Sequence, residues 1–253
     1  MKIVTWNVNG IRAALRKNAF DQIWPHSPDV MCLQEVKARP EQLTAAQHES
    51  LRMPFTWYPA ERPGYSGVAT FYREAPDEVK LGLDNSRFDL EGRVIRTRHG
   101  DLLLFNVYFP SGQRGQERVD YKLEFYSHLL SICDELHKKG ENLIITGDFN
   151  TAHTPLDLKN PKQNQKTSGF LPEERAWVQK FLDHGFVDIY RNLYPDRVQY
   201  TWWTYRSGAR QRGIGWRLDY FLVSKSLIPR VKDVIIHENV TGSDHCPVEM
   251  EFM

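Results

Sequence analysis

Residues 3–10, "IVTWNVNG", and residues 143–151, "LIITGDFNT", follow the same plan. Each is an apolar run of strand length that ends in two polar residues separated by one other residue. The polar pairs are Asn7 with Asn9 and Asp148 with Asn150. Since alternate side chains of an extended chain point to the same side, each pair can face one way. Turns also favour Asn and Asp, so one match alone would favour a loop; two matches predict strands that deliver oxygen-bearing side chains to one sheet edge.

Other apolar runs and helical patterns extend this picture along the chain. Strands are predicted at 2–6, 29–34, 66–72, 93–97, 102–109, 142–147, 219–223, 231–236 and 247–252. Helices are predicted at about 11–24, 117–138 and 172–184. The mixture predicts an α/β or α+β sheet protein, and the lack of a linker or low-complexity segment favours one domain over 1–253.

Composition limits the class of protein. The chain has 253 residues, 41% of them hydrophobic, with a net charge of +1 and a pI of about 7.8. A strongly basic overall field is therefore excluded, and contact with nucleic acid would need a local patch. The three cysteines have no paired spacing, which argues against a disulfide framework and indicates a reducing compartment. We expect no signal peptide and no membrane span, since "KIVTW" reads as a strand and the apolar runs are short.

Further polar residues lie at strand ends. Glu35 ends the apolar run "VMCLQE", and Asp219 begins the strand-like run in "WRLDYFLV". Asp244 and His245 precede the last strand. Any one of these is more often a solvated strand end or a helix cap, but five strand ends rich in Asp, Glu, Asn and His indicate a site. Carboxylate oxygens suit Mg²⁺, and a nearby His suits acid–base work or contact with phosphate.

The stretch 241–252, "TGSDHCPVEMEF", leaves three interpretations open: a solvated turn, a metal or acid–base site, and a Cys–His pair. The last is weakened by the strand geometry. Adjacent side chains of an extended segment point to opposite faces, so Cys246 faces the core if His245 faces the site.

A basic and aromatic stretch, 199–217, reads "QYTWWTYRSGARQRGIGWR" and has no acidic residue. Its arginines are Arg206, Arg210, Arg212 and Arg217. Basic side chains neutralise phosphates and exposed rings stack on bases, so the stretch predicts a nucleic-acid patch. Alternation predicts that one of Trp202 and Trp203 is simply a core residue. The weaker basic loops 111–118 and 159–166 could extend the patch.

Taken together, the motifs resemble those of the exonuclease III family of apurinic/apyrimidinic (AP) endonucleases. The matching segments run in order along essentially the whole chain: "WNVNGIRA", "CLQEVKA", "GYSGVA", "NVYFPSGQRG", "YKLEFY", "GDFNTAH", "DLKNPK", "GFLPEERAW", "YTWWTYR", "GWRLDYFLVS" and "GSDHCPVE". The resemblance implies a four-layered α/β sandwich, with two face-to-face β-sheets flanked by helices and two related halves. It also implies Mg²⁺-dependent hydrolysis of the DNA backbone 5′ to an abasic site, leaving a 3′-hydroxyl and a 5′-deoxyribose phosphate.

The resemblance assigns catalytic roles to residues at the strand ends. Asp148 would orient or deprotonate the attacking water, and Asn150 would hydrogen-bond the charge that develops on phosphorus. His245, oriented by Asp219, would contact the scissile phosphate. Tyr108 would lie at the phosphate and assist the leaving oxygen.

The implied metal set is centred on Glu35, with Asn7 and Asp244 close to it. Asp148 and Asn150 are further candidates, and the number of metals stays open. Mg²⁺ is the expected ion, with Mn²⁺ as a substitute.

For DNA, the resemblance implies a pocket for a flipped-out abasic sugar between Trp202, Trp216 and Leu218. An abasic nucleotide has no base to stack or pair, so its extrusion costs least. Arg114 and Arg206 would reach into the opened helix from opposite grooves. The remaining implied contacts are Asn164 and Lys37, which would support the phosphate backbone or the site.

These expectations describe a base-excision-repair nuclease acting on double-stranded DNA, with 3′→5′ exonuclease and 3′-phosphatase or phosphodiesterase side activities. The alternatives are another phosphodiesterase of the endonuclease/exonuclease/phosphatase superfamily and a DNA-binding member with weak catalysis. We expect a monomer without a membrane partner, located in the cytoplasm near the nucleoid if the source is prokaryotic.

Overall fold

Two mixed six-stranded sheets pack face to face, and helices cover their outer surfaces. The protein is described by a computed structural model of residues 1–253. This architecture confirms the expected four-layered α/β sandwich. The single domain over 1–253 stays a prediction.

Twelve strands and six helices make up the layers. The strands are β1 Lys2–Asn7, β2 Val30–Gln34, β3 Phe55–Tyr58, β4 Val68–Tyr72, β5 Glu78–Leu81, β6 Val94–His99, β7 Leu102–Tyr108, β8 Asn142–Asp148, β9 Phe186–Asp188, β10 Asp219–Ser224, β11 Val231–Ile236 and β12 Val248–Phe252. The helices are α1 Ile11–Arg16, α2 Ala45–Ser50, α3 Ser86–Asp89, α4 Gln116–Lys138, α5 Pro172–Asp183 and α6 Ile189–Leu193.

The nine predicted strands all exist, with ends within two residues of the predicted ones. The predictions missed β3, β5 and β9. The helix predicted at about 11–24 was too long: α1 ends at Arg16 and two 3₁₀ turns follow. Asn18 adopts a left-handed φ of 52° between α1 and the first turn, which a continuous α-helix does not allow.

The two sheets repeat one plan. The first has the order β11-β12-β1-β2-β4-β3, and the second has the order β5-β6-β7-β8-β10-β9. In each, the only parallel pair lies at the centre, β1 with β2 and β7 with β8. Position for position, β1 therefore corresponds to β7 and β2 to β8, which gives the two related halves.

This correspondence corrects one detail of the sequence comparison. The similar stretches 3–10 and 143–151 contain β1 and β8, which do not hold equivalent places in their sheets. They come together across the sandwich instead, where the Asn7 amide donates to Asp148 Oδ2 at 2.8 Å. Their likeness thus reflects a shared site rather than the internal repeat.

Alternation along the strands sets the layers. On β12, Val248 and Met250 belong to the core between the sheets, together with β10 residues such as Phe221. On β1, Val4 and Trp6 face the outer core of the first sheet. A third core lies under α4 and α5 on the outer face of the second sheet. No helix has the length and apolar character needed to cross a membrane.

Candidate active site

A cavity of about 620 Å³ opens at one edge of the sandwich. Strands β1, β2, β7 and β8 end there, and β10 and β12 begin there. The sequence-predicted site residues that line it are Glu35, Lys37, Tyr108, Arg114, Asp148, Asn150, Asn164, Trp202, Trp216, Leu218, Asp244 and His245. Asn7 and Asp219 are buried directly behind this lining, and Arg206 is exposed in the loop beside it.

At the base of the cavity, His245 lies between two aspartates. Its Nδ1 is 2.8 Å from Asp219 Oδ2, and its Nε2 is 3.8 Å from Asp148 Oδ2. All three residues are at most 4% exposed. The antiparallel register pairs Asp219 directly with Asp148, so the two sheet-edge carboxylates are fixed by strand pairing. The expected orientation of His245 by Asp219 is therefore present in the geometry.

Burial and crowding of negative charge change the acidity of this cluster. Burial, assisted by the Asp219 and Glu35 carboxylates, raises the pKa of Asp148 to about 7. Burial disfavours the imidazolium, but the carboxylates of Asp219 and Asp148 outweigh it and raise the pKa of His245 to about 10. His245 is thus a cation at neutral pH in the metal-free protein, next to a carboxyl group that titrates near neutrality.

Asn7 connects the two halves of the site. Its amide nitrogen donates to Glu35 Oε1 at 2.9 Å and to Asp148 Oδ2 at 2.8 Å. Its side-chain oxygen accepts from the backbone N–H of Asn9 at 2.9 Å. All of these contacts hold Glu35 and Asp148 at a fixed separation; a direct bond from Asn7 to a metal stays a prediction.

On the opposite wall of the cavity, side-chain oxygens of Glu35 and Asn9 surround the ammonium group of Lys37. Lys37 Nζ lies 2.7 Å from Glu35 Oε2 and also donates to Asn9 Oδ1. The Asn9 amide in turn donates to Asp244 Oδ1 at 3.0 Å. The Lys37 ammonium thus marks a position where these oxygens hold a cation. Burial opposes ionisation of Glu35, but Lys37 and Asn7 lower its pKa, so the carboxylate stays charged.

These donors fit a hard divalent ion. Glu35 and Asp244 supply carboxylate oxygens, and Asn9 supplies an amide oxygen within the same hydrogen-bonded group. Oxygen ligands of this kind are what Mg²⁺ prefers. Burial opposes ionisation of Asp244, yet His245 and the hydrogen bonds from Asn9 and Trp202 lower its pKa. Both carboxylates are therefore ready to bind a cation at neutral pH.

The backbone at the site departs from regular strand geometry. Asn9, Glu35, Lys37 and Asn150 all have φ between 44° and 52°. Non-glycine residues rarely adopt this left-handed region, and it is retained where the surroundings enforce it. At Asn150 the enforcing contacts are visible: its N–H donates to Asp148 Oδ1 at 2.7 Å, and its amide donates to Phe109 O at 2.9 Å.

Comparison with known proteins agrees with this geometry. Residues 4–245 match the Endonuclease/Exonuclease/phosphatase family. An exodeoxyribonuclease of Bacillus subtilis (strain 168) is 44% identical over 252 residues, covering 99% of this chain and 98% of the relative. The chain belongs to the endonuclease/exonuclease/phosphatase family.

Solved structures of the family share the whole fold. The 3′ phosphatase NExo from Neisseria, bound to a product DNA hairpin, has a TM-score of 0.90 and 30% identity, covering 100% of this chain and 99% of that one. An AP endonuclease from Archaeoglobus fulgidus has a TM-score of 0.88 and 29% identity, with the same coverage. The nucleases of this family depend on a metal ion, consistent with the acidic and histidine cluster seen here.

One corner of the cavity of this family member is apolar. Trp202 and Trp216 meet edge to face, with ring centroids 6.3 Å apart, and Leu218 packs in the same small cluster. The indole N–H of Trp202 donates to Asp244 Oδ2 at 3.1 Å, so the polar atom of this ring is already bonded. The corner therefore presents carbon surface immediately beside the carboxylates. Trp203, as alternation required, is a buried core residue.

The arginine-rich stretch is not the uniform phosphate patch that its sequence predicts. Arg217 is 1% exposed and binds Asp157 and Asp188. Arg210 donates to the carbonyls of residues 238 and 240 and stacks over Trp203. Their partners are distant in sequence, so the composition of the stretch could not reveal them. Arg206 and Arg212 remain exposed.

Sequence reasoning also missed a wall of the cavity. Arg93 is fully buried, donates to the Tyr108 carbonyl at 2.9 Å and lies 4.6 Å over the Tyr108 ring. It is held by Glu91 at 2.6 Å. The sequence offered one signal for this residue, since Arg93 stands at the start of the apolar strand "GRVIRT". Burial and the nearby Glu35 carboxylate raise the pKa of Tyr108, so its hydroxyl keeps its proton and can donate.

The Cys–His interpretation of residues 245–246 is wrong. Cys246 is fully buried in the core between the sheets, while His245 faces the cavity. Burial raises the pKa of the thiol far above neutrality, which leaves it an unreactive thiol.

Proposed function

We propose that this protein is a Mg²⁺-dependent AP endonuclease that hydrolyses the DNA phosphodiester 5′ to an abasic site. The observation that carries the proposal is the sharing of one cavity by two unlike surfaces. The buried Asp148–His245–Asp219 cluster adjoins the apolar corner of Trp202, Trp216 and Leu218. A phosphate on the first surface places the neighbouring sugar at the second.

The apolar corner suits a sugar that has lost its base. The indole N–H of Trp202 is occupied by Asp244, and Trp216 and Leu218 offer mainly carbon surface. A normal nucleotide brought here would leave the hydrogen-bonding groups of its base without partners. The free-energy cost of that loss is about a few kcal/mol. An abasic sugar avoids that cost.

The chain's own groups suit phosphodiester hydrolysis. Asp148 has a pKa near neutrality and can orient a water and accept its proton. The imidazolium of His245 and the Asn150 amide can stabilise charge on the phosphate oxygens, and Tyr108 can donate its hydroxyl proton. A metal bound by Glu35 and Asp244 would supply charge neutralisation at the phosphate. Asn7 holds Glu35 and Asp148 in a fixed relation.

The same proposal covers the other expected DNA contacts. Arg114 and Asn164 line the rim of the cavity, and Arg206 is exposed in the adjoining loop. They would hold the duplex on either side of the flipped sugar. We propose Mg²⁺ as the working ion with Mn²⁺ as a substitute, a monomer as the active form, and the cytoplasm as its location if the source is prokaryotic. The open cavity would also admit a 3′ end, so 3′→5′ exonuclease and 3′-phosphatase activities belong to the proposal.

The test is incision of an end-labelled duplex with one abasic site beside the same duplex without it, in Mg²⁺ and in EDTA. We expect one cut, 5′ to the lesion, only with Mg²⁺. Equal digestion of both duplexes would favour another phosphodiesterase activity of the family. Tight binding without cutting would favour a DNA-binding member with weak catalysis.

A pair of tryptophan variants tests the pocket. Trp216→Ala should reduce the preference for the abasic duplex, while Trp177→Ala, in α5 and packed against the core away from the cavity, should not. An unchanged preference in Trp216→Ala would remove this corner from the proposal.

A further inference from the structure

A second cluster of metal-ligating side chains lies away from the cavity, on the outer face of the first sheet. His26 ends the 3₁₀ turn that precedes β2, His237 follows β11, and Glu249 is in β12. Because Val248 and Met250 face the core between the sheets, Glu249 points to the outer face. There it is 1% exposed and meets both histidines.

We propose that His26, His237 and Glu249 form a binding site for a divalent transition ion such as Zn²⁺. The ligand atoms of the three side chains all lie within 4.8 Å of one another. This site would be separate from the oxygen-rich catalytic set and is independent of the nuclease proposal.

The distances between the ligand atoms fit a tetrahedral ion. Glu249 Oε2 lies 3.1 Å from His237 Nε2 and 3.7 Å from His26 Nδ1. An ion with bonds of 2.0–2.1 Å has ligand atoms about 3.3 Å apart along the edges of its tetrahedron. The imidazole rings already converge, with centroids 4.3 Å apart and an angle of 56° between their planes. An ion could therefore enter with small side-chain rotations.

The chemistry of the donors selects the class of ion. Two imidazole nitrogens and one carboxylate suit Zn²⁺, Co²⁺ or Ni²⁺, whereas Mg²⁺ prefers an all-oxygen set. The second carboxylate oxygen of Glu249 is engaged by Lys2, whose Nζ lies 3.4 Å from Oε1. That contact leaves Oε2 directed at the two rings, as a single metal-binding oxygen would be.

The exposure of the cluster provides an entry path. The His26 side chain is 37% exposed, while the His237 side chain is 11% exposed and Glu249 is covered. Water can therefore reach the open side and complete the coordination as the fourth ligand. A bound ion would join the segment before β2 to the β11–β12 pair, and would stabilise the folded state by an amount that grows with the logarithm of the free ion concentration above its dissociation constant.

The test is a titration of the metal-free protein with Co²⁺ in excess Mg²⁺, followed by the visible absorption of tetrahedral Co²⁺. We expect one equivalent of signal that Zn²⁺ displaces. His26→Gln and His237→Gln should each lose it. His184→Gln is the matched control, because His184 pairs with one carboxylate, Asp134, at 3.0 Å, and lies outside both candidate sites; it should keep the signal.

Thermal unfolding gives a second measurement. Zn²⁺ should raise the unfolding midpoint of the wild type and of His184→Gln but not of His26→Gln, whose ring is partly exposed and whose loss should not prevent folding. Absence of Co²⁺ signal from the wild type, or a signal unchanged in both His26→Gln and His237→Gln, would overturn the proposal. Either result would leave the cluster as a hydrogen bond between His237 and Glu249 with His26 beside it.

Discussion

Two of the clusters of buried charge in this molecule differ in how their charges are balanced. In one, Arg217 and Arg191 bind Asp157 and Asp188, so two cations meet two anions. In the other, at the candidate active site, one histidine faces Asp148 and Asp219, with Glu35 close by. The first cluster is nearly neutral and the second has excess negative charge when its acids are ionised.

The difference in charge balance is visible in the hydrogen bonds and in the pKa values of the aspartates. Both oxygens of Asp157 are bonded, Oδ1 to the two arginines and Oδ2 to Thr154. Burial opposes ionisation of Asp157, but Arg217 and Arg191 lower its pKa. In the cluster at the candidate active site, Asp219 Oδ1 is buried without a partner and the pKa of Asp148 is raised. Buried negative charge that is left unbalanced can be balanced by a bound cation, and such groups are typical of functional sites.

The largest effect is expected from Asp148→Asn. We expect turnover of an abasic duplex to fall by roughly 10³-fold, because the group that accepts the proton of water is removed. Folding and DNA binding should persist, since Asn can still accept from the N–H of residue 150. Single-turnover kinetics measure the loss of turnover, and the dissociation constant for the same duplex measures DNA binding. Turnover within tenfold of the wild type would contradict the role of Asp148.

The balanced cluster should respond in stability instead. Arg217→Met leaves Asp157 and Asp188 without their shared cation, and we expect the free energy of unfolding to fall by about 3–5 kcal/mol. Arg212→Met is the control, because Arg212 is exposed in the same loop and has one weak contact, to the Ser207 carbonyl at 3.4 Å. Denaturant unfolding measures both. Equal stability of the two variants would show that the cluster is not structural.

Asp157 and Asp148 should also contribute to the stability of the fold with opposite pH dependence. The folded-state pKa of Asp157 is lowered, so its stabilisation is present above the ordinary aspartate pKa and is lost as the pH falls through the folded value. The folded-state pKa of Asp148 is raised, so the contribution of Asp148 to the stability of the metal-free fold falls as the pH rises from about 4 towards 7. Each proton corresponds to about 1.4 kcal/mol per pH unit.

Unfolding of the metal-free protein between pH 3 and pH 8 measures this contrast. Asp148→Asn should be more stable than the wild type at pH 8 and lose that advantage near pH 4. Asp157→Asn should be less stable than the wild type at neutral pH and approach it only in acid. Parallel pH curves for the two variants would refute the assignment of opposite shifts.

The smallest effect is expected at an exposed arginine of the same stretch. Arg206→Ala should increase the rate of dissociation from an abasic duplex several-fold, about 1 kcal/mol, and lower the salt slope of binding by about one. The single-turnover cutting rate should change less, because Arg206 does not line the cavity. Stopped-flow dissociation at two salt concentrations provides the measurement, and an unchanged rate would count against this contact with DNA.

The sequence predicts every strand that has neighbours on both sides, but only one of the four edge strands, β11. The missed strands β3, β5 and β9 are all edges of their sheets. In β5, "EVKL", three of the four residues are exposed, so no buried face produces an apolar pattern. Central strands such as β7 are buried throughout and give a continuous apolar signal.

The sequence predicts those parts of the site whose residues lie close together along the chain. It does not predict the parts that depend on partners distant in sequence. The pairs Asn7–Asn9 and Asp148–Asn150 stand at strand ends that the sequence marks, and the structure brings both pairs into one site. The structural role of Arg217 depends instead on Asp157 and Asp188, which are 60 and 29 residues away along the chain. A list of charges cannot separate such an arginine from one that is free to meet phosphate.

The pairing of β1 with β12 has a consequence for biosynthesis. Lys2, near the start, pairs with Glu251, and the residues that complete the cavity, Asp244 and His245, immediately precede β12. A ribosome therefore makes the central strand β1 long before its neighbour, and such distant pairing folds slowly. A nascent or truncated chain that ends before Asp244 would lack His245 as well as β12, and would leave β1 with an unpaired strand edge. We expect such chains to be harmless to DNA and prone to aggregate, so that cutting begins only once translation has passed the last strand.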